Sequence, residues 1–256
     1  MKLNYIEQGQ GPAVILMHGM FGSLSNLGNL ARDLIGQYRV ISVDLRNHGD
    51  SPHEDAMSIP LMADDIVELM DDLELAQAHL VGHSLGGKLG MHVALHHPDR
   101  VSSLLVADIA PVNYPQSNNN VVEALSILDT QAIASRRDAD QAISELIADK
   151  VTRGFILKNL QRDNDGGFSL KLNVKSIVAN YSNSLVDAPS GEPFSGPTLF
   201  IKGETSAYIQ EKHRPLIAQL FPASEVQMIL GAGHWLHAEK PEEFNHLVIE
   251  FLSAHQ

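Results

Sequence analysis

The sequence predicts an α/β fold: a mostly parallel, doubly wound sheet with a helical cap inserted late in the chain. Short continuous apolar runs alternate with helical periods, the mark of buried parallel strands joined by crossover helices. Between about residues 112 and 188 that alternation stops, and helical periods follow one another. At 256 residues the chain is long enough for one α/β core with such an insertion.

The strands are read in order. Lys2–Gln8 is expected at a sheet edge. Ala13–Met17, Val40–Val43, Ala78–Val81, Leu104–Ala107, Thr198–Ile201 and Val226–Leu230 are predominantly apolar runs, as strands covered on both faces would be. The linking helices are expected at Leu27–Ile35, Ile59–Leu73, Leu85–His96, Ile209–Leu220 and Pro241–Leu252. Inside the insertion, Val121–Leu128, Asp140–Ile147, Phe155–Leu160 and Val174–Leu185 read as helices with no buried strand among them. Asn118–Asn120 and Asp163–Gly167 are turn-rich joints. The core is therefore assigned to residues 1–111 and 189–256 and the cap to 112–188. The alternative, a second independent domain, would have only a thin core of its own.

Composition narrows the function. A net charge of −13 argues against nucleic acid and anionic membrane surfaces as partners. The absence of Cys excludes disulfides, thiolate chemistry and Cys-ligated metal. The thirteen His show no spacing of the His-Glu-x-x-His kind, so no metal is expected, and no motif calls for a cofactor. No apolar run approaches a membrane-spanning length, and the first residues lack the apolar centre of a signal peptide. The expected location is cytoplasmic.

The chemistry gathers around Gly82-His83-Ser84-Leu85-Gly86, which follows one buried strand and opens a helix. That is the strand–turn–helix setting of a nucleophile elbow, with small residues two positions either side of the Ser. A serine hydroxyl is a weak nucleophile until a base takes its proton. His234, in Gly231-Ala232-Gly233-His234-Trp235 directly after a strand, is the expected base; His237 lacks the glycines and is expected to be structural or exposed. Met20, after the His18-Gly19 pair, and Leu85, after the Ser, are expected to offer backbone N–H groups as an oxyanion hole. His18 is read as a loop-locking hydrogen-bonder.

The chain resembles the α/β-hydrolase superfamily from end to end. The run Asp44-Leu45-Arg46-Asn47-His48-Gly49-Asp50-Ser51, with the His-Gly-Met-Phe-Gly loop, is similar to the family of the bacterial esterase YbfF and its mitochondrial relatives. There Arg-Asn-His-Gly stands in place of the commoner Arg-Gly-x-Gly. The resemblance implies the α/β-hydrolase fold and carboxylesterase activity on short acyl esters, with acyl thioesters as further substrates. Asp44 and Arg46 themselves read as an ion pair bracing the turn.

The acid departs from the superfamily's usual pattern. The strand Thr198–Ile201 leads into Gly203-Glu204-Thr205-Ser206, so Ser206 occupies the slot where a Gly-x-x-Asp turn would put aspartate. Asp108, at the end of the strand after the nucleophile's, is the leading candidate, and the resemblance supports that relocation. With Asp108 as the acid, Ser206 would be a supporting hydrogen-bond partner; Glu204 is the next candidate, and a turn-capping role for Asp108 stays open.

An apolar acyl slot between sheet and cap is expected from Met20, Phe21, His83, Phe155, Phe168, Tyr181, Tyr208 and Trp235. The expected partner is a small-molecule acyl ester or thioester. A carbon–carbon bond hydrolase of the same fold and a hydrolase-like binding protein with little turnover remain as alternatives; enzymes that need a carboxylate at the elbow are excluded by Ser84.

Overall fold

In the computed structural model, which describes residues 1–114, 120–163, 166–181 and 187–256, the apolar runs become a single seven-stranded sheet. The elements in chain order are β1 (Tyr5–Gln8), β2 (Ala13–Met17), α1 (Gly28–Leu34), β3 (Arg39–Val43), α2 (Ile59–Asp72), β4 (Ala78–His83), α3 (Leu85–His96) and β5 (Val101–Ala107). There follow α4 (Asn120–Thr130), α5 (Arg136–Ile143), α6 (Lys150–Leu157), β6 (Leu160–Arg162), β7 (Phe168–Leu170) and α7 (Val174–Asn180). The chain then returns through β8 (Thr198–Gly203), α8 (Arg214–Leu220), β9 (Ser224–Ile229), α9 (Leu236–Glu239) and α10 (Pro241–Ser253). Strand order is β1-β3-β2-β4-β5-β8-β9, with only β1 antiparallel to its neighbour.

Alternate residues of each strand feed two cores, as the period of two requires. Ile15 and Met17 of β2 join Leu80, Leu104, Met62 and Leu89 on the face covered by α2, α3 and α8. Val14 and Leu16 join Val81, Leu105, Leu34 and Val248 on the face covered by α1 and α10. The central strands β2 and β4 are buried at every position. β9 is not: it closes the sheet as an edge strand, and Glu225, Gln227 and Met228 are exposed, as is Leu230 just beyond its end. The expected helix at Ile209–Leu220 begins late, at Arg214, because Pro215 lacks an N–H and is placed in the first turn.

Among the described residues, the segment between β5 and β8 holds four helices, and it also holds a strand pair the sequence reading did not expect. β6 and β7 pair antiparallel, Leu160 opposite Leu170, with the Asp163–Gly167 joint as the connection. The helix expected at Phe155–Leu160 therefore lies earlier, as α6, and its tail becomes β6. The expected Val174–Leu185 helix is described as far as Asn180; residues 182–185, and 118–119 of the Asn-rich joint, lie outside the described residues. Leu125, Leu128, Ile143, Ile156 and Leu170 belong to the same apolar cluster as Met17 and Ile109 of the sheet layer, so this segment shares its core with the sheet. No helix among the described residues is long and apolar enough to cross a membrane.

The expected Asp44–Arg46 pair is not made. Arg46 forks onto Asp65 of α2, Nε to Oδ2 at 2.7 Å and Nη2 to Oδ1 at 2.8 Å. Asp44 instead accepts from the backbone amides of Leu24 (2.8 Å) and Asp50 (2.9 Å) and from Asn4 Nδ2 (2.8 Å). The planar guanidinium finds its bidentate match on a neighbouring helix, and Asp44 closes the turn through N–H donors.

Candidate active site

Ser84 sits between the last residue of β4 and the first of α3 at φ 51°, ψ −111°, a strained conformation for a non-glycine residue. The flanking glycines are obligatory. A Cβ on Gly82 would run into the Gly86 backbone, and one on Gly86 into the Met17 carbonyl, so strand and helix could not approach as they do. The Ser84 amide is tied to the Ala107 carbonyl (2.9 Å), anchoring the turn to β5.

His234 arrives on the loop after β9. Its Nε2 lies 3.2 Å from Ser84 Oγ and its Nδ1 lies 2.8 Å from Asp108 Oδ2. Asp108 follows β5, has φ 52° and is fully buried. Its Oδ1 accepts the Gly203 amide (3.0 Å), and its Oδ2 accepts the Ser206 hydroxyl as well as the imidazole. Three hydrogen bonds to a fully buried carboxylate hold it where the imidazole N–H meets it. Ser206 thus lies where the sequence put it, beside the carboxylate. Glu204 turns away: its Oε2 accepts the Gly231 amide at 2.8 Å on the exposed side of the loop.

The amides of Met20 and Leu85 donate to no group among the described residues, and both residues line the same cavity as Ser84 and His234. That cavity has a volume of about 630 Å³, within the usual range for small-molecule sites. Phe21, Ile109, Tyr181, Tyr208 and Trp235 give it mainly apolar walls. The Tyr208 ring stacks on His234 with centroids 4.1 Å apart. A hydroxyl hydrogen-bonded to an imidazole, that imidazole backed by a carboxylate, and two cavity-lining residues whose amides have no partner among the described residues can carry out acyl transfer by nucleophilic attack.

Residues 12–241 match the family described as the alpha/beta hydrolase fold. The chain belongs to that family. Among its relatives, the sn-1-specific diacylglycerol lipase ABHD11 of Mus musculus is 37% identical over 250 residues, covering 94% of this chain and 81% of the relative. Esterase YbfF of Escherichia coli strain K12 is 34% identical over 259 residues, covering 99% of this chain and all of the relative. A solved structure described as a marine microorganism esterase superposes with a TM-score of 0.94 at 38% identity, covering 98% of this chain and 99% of that one. These relatives place the α/β hydrolase among the ester-hydrolysing esterases and lipases.

Several pocket expectations for this α/β hydrolase need correction. His83 is not a wall of the cavity. It lies behind Ser84, 1% exposed, with Nε2 donating to the His234 carbonyl at 2.8 Å. Phe155 packs at a tilt against Trp235 (centroids 4.0 Å apart) outside the described cavity lining, and Phe168 lies in β7 beneath the Arg162 guanidinium. Conversely, Lys88, Tyr114, Thr152 and Lys212 line the cavity and were not foreseen. Lys88 was findable: it is one helical turn after Ser84 and shares its face of α3. Its Nζ donates to the Asp187 carbonyl (2.6 Å), and burial lowers its pKa to about 8.

The remaining imidazoles around the site are kept neutral. Burial lowers His18 to about 4 and His48 and His237 to about 3, and holds His83 well below its ordinary value. His18 donates Nδ1–H to the Gly19 carbonyl and accepts the Leu45 amide at Nε2, locking the loop as expected. His237 is buried against the His83 ring (4.5 Å), and its Nδ1 has no hydrogen-bond partner among the described residues.

These depressed values have a signed consequence for stability. Above pH 6.5 such rings are neutral in both folded and unfolded chains. Below it the unfolded chain takes up protons that the folded chain refuses until about pH 3–4, so stability is full above 6.5 and falls as pH drops. Each of His18, His48 and His237 should cost about 2 kcal/mol at pH 5. Urea unfolding of wild type at pH 7.5 and 5 should show this loss, and His48→Gln should show a shallower one. Equal slopes for the two would mean that His48 is not held neutral.

Proposed function

We propose that the chain is a serine esterase that cleaves carboxylic esters of short to medium acyl chains, or the corresponding thioesters, through an acyl-enzyme. In this reading residues 112–188 form the cap over the site. The observation that carries it is the continuous hydrogen-bonded line Ser84–His234–Asp108 at the wall of an apolar cavity. His234 Nε2 takes the hydroxyl proton as Ser84 Oγ attacks the acyl carbonyl, and the amides of Met20 and Leu85 receive the developing oxyanion. His234 then gives its proton to the leaving alcohol or thiol. A water attacks the acyl-enzyme by the same route in reverse, releasing the acid. Asp108 holds the Nδ1–H tautomer and stabilises the imidazolium without itself taking the proton.

The test is fluorophosphonate labelling mapped by mass spectrometry, together with turnover on a chain-length series of acyl esters and thioesters in one buffer. Labelling confined to Ser84, with hydrolysis of part of the series, is expected. Labelling without turnover anywhere in the series would favour a binding protein, and absence of labelling would remove Ser84 as nucleophile. Turnover should also fall on the acid side of the pH profile, because only neutral His234 accepts the serine proton. A profile with no acid limb wherever the protein stays folded would contradict that role.

A further inference from the structure

The Arg46-Asn47-His48 run carries no group that reaches Ser84 in the scheme above, yet Asn47 and His48 are fully buried. Their partners explain why. His48 donates Nδ1–H to the Arg46 carbonyl (2.8 Å), which leaves Nε2 as an acceptor, and Nε2 receives the Phe21 amide at 3.1 Å. The Phe21 carbonyl is held from the opposite direction by Asn159 Nδ2 at 2.8 Å. Asn159 is 4% exposed, and its side chain also donates to the Ile156 carbonyl at 3.1 Å. Both polar groups of the Phe21 backbone are thus gripped by buried side chains, 27 residues away on one side and 138 on the other.

Phe21 follows Met20 in the loop, and its φ of 61° lies in the left-handed region, which a phenylalanine does not adopt without outside support. The clamp supplies that support. One of its two jaws, Asn159, belongs to the inserted segment. The other, His48, adjoins Asn47, whose Nδ2 donates to Ser176 Oγ of α7 (3.0 Å) and whose Oδ1 and backbone carbonyl accept from Asn173 (3.1 and 3.0 Å). His48 itself bridges to Leu172.

We infer that His48 and Asn159 are positioning residues that fix the Phe21 backbone and thereby aim the Met20 amide, so that the oxyanion hole is complete only while the inserted segment is docked. This rests on the acyl-enzyme reading above. The Asn-His pair of the turn then divides its labour, Asn47 gripping the inserted segment and His48 gripping the loop. His48 stays an acceptor at all working pH values because burial keeps its ring neutral.

The test compares Asn159→Leu, His48→Leu and His48→Gln with wild type, each checked for folding by thermal melting. The readouts are kcat, KM and the affinity for a trifluoromethyl ketone, which forms a tetrahedral oxyanion adduct on serine. Asn159→Leu and His48→Leu should lower kcat about 10- to 100-fold with KM nearly unchanged, and weaken the ketone in parallel. His48→Gln, which can place an amide oxygen near the lost Nε2, should recover most of the loss. Folded leucine variants with wild-type kcat and wild-type ketone affinity overturn the inference, whatever their melting temperatures. If His48→Leu does not fold, Asn159→Leu, on a different element, decides alone. A wild-type protein that neither turns over esters nor binds the ketone sinks the acyl-enzyme reading instead.

Discussion

Asp108→Asn is expected to lower kcat by about 10⁴ while leaving KM within a few-fold. The side chain would keep its shape and its contact with the Gly203 amide, but the group facing His234 Nδ1 would become an NH₂ donor or a neutral oxygen. In the first case the imidazole must present a bare Nδ1, which puts the proton on Nε2, where it blocks the transfer from Ser84. In the second the imidazolium loses its counter-charge. Ser206→Ala should cost far less, under about tenfold, since it removes only one of three hydrogen bonds to the carboxylate. Glu204→Gln should be close to neutral for turnover, because its carboxylate engages the Gly231 amide and not the imidazole. Steady-state kinetics of the three variants against one ester settles the ranking. Near-normal turnover by Asp108→Asn would show that the acid has been misassigned.

What the sequence made legible was whatever is encoded over a few adjacent residues. The elbow could be read because strand, Gly82, Ser84, Gly86 and helix are contiguous, and the placement of His234 because a glycine-rich loop leaves a strand end there. Asp108 could be named as the leading acid candidate from its place at a strand end and from the resemblance, with Glu204 left open beside it. Contacts between distant segments were not legible. Arg46 was paired with its sequence neighbour Asp44, whereas its true partner, Asp65, is brought in by the packing of α2 on the sheet. The Phe21–Asn159 contact spans 138 residues and leaves no local pattern. The hairpin β6–β7 was missed because three-residue strands carry too little alternation to register, although Asn164-Asp165-Gly166-Gly167 is a hairpin-turn sequence. His83 and Phe155 were misplaced because both are set by contacts with a distant segment: His83 bonds the His234 carbonyl and packs on His237, and Phe155 packs on Trp235. β9 looked buried because its apolar residues were counted without knowing that it closes the sheet.

Gly86→Ala should be among the most damaging single-methyl changes in the chain, and it separates two kinds of glycine in α3. The added Cβ would meet the carbonyl and Cβ of Met17 in a fully buried central strand, so the helix itself has to move. Backbone cannot yield as a side chain does, and overpacking here should cost at least about 3 kcal/mol out of a domain stability of about 5–15 kcal/mol. Gly90→Ala is the control. Its Cβ would meet Leu104 Cδ1 at 2.8 Å, the end of a side chain that can rotate, and alanine favours the helix by about 1 kcal/mol, so a net change within about 1 kcal/mol is expected. Any Gly86→Ala protein that folds must carry α3 away from β2, and with it the Leu85 amide and Ser84. A displacement of about 1 Å at the nucleophile should then lower kcat about 10²-fold. Urea midpoints and kcat for the two variants give both readings. A Gly86→Ala protein with wild-type midpoint and turnover would mean that strand and helix do not meet at the elbow as closely as the reaction geometry requires.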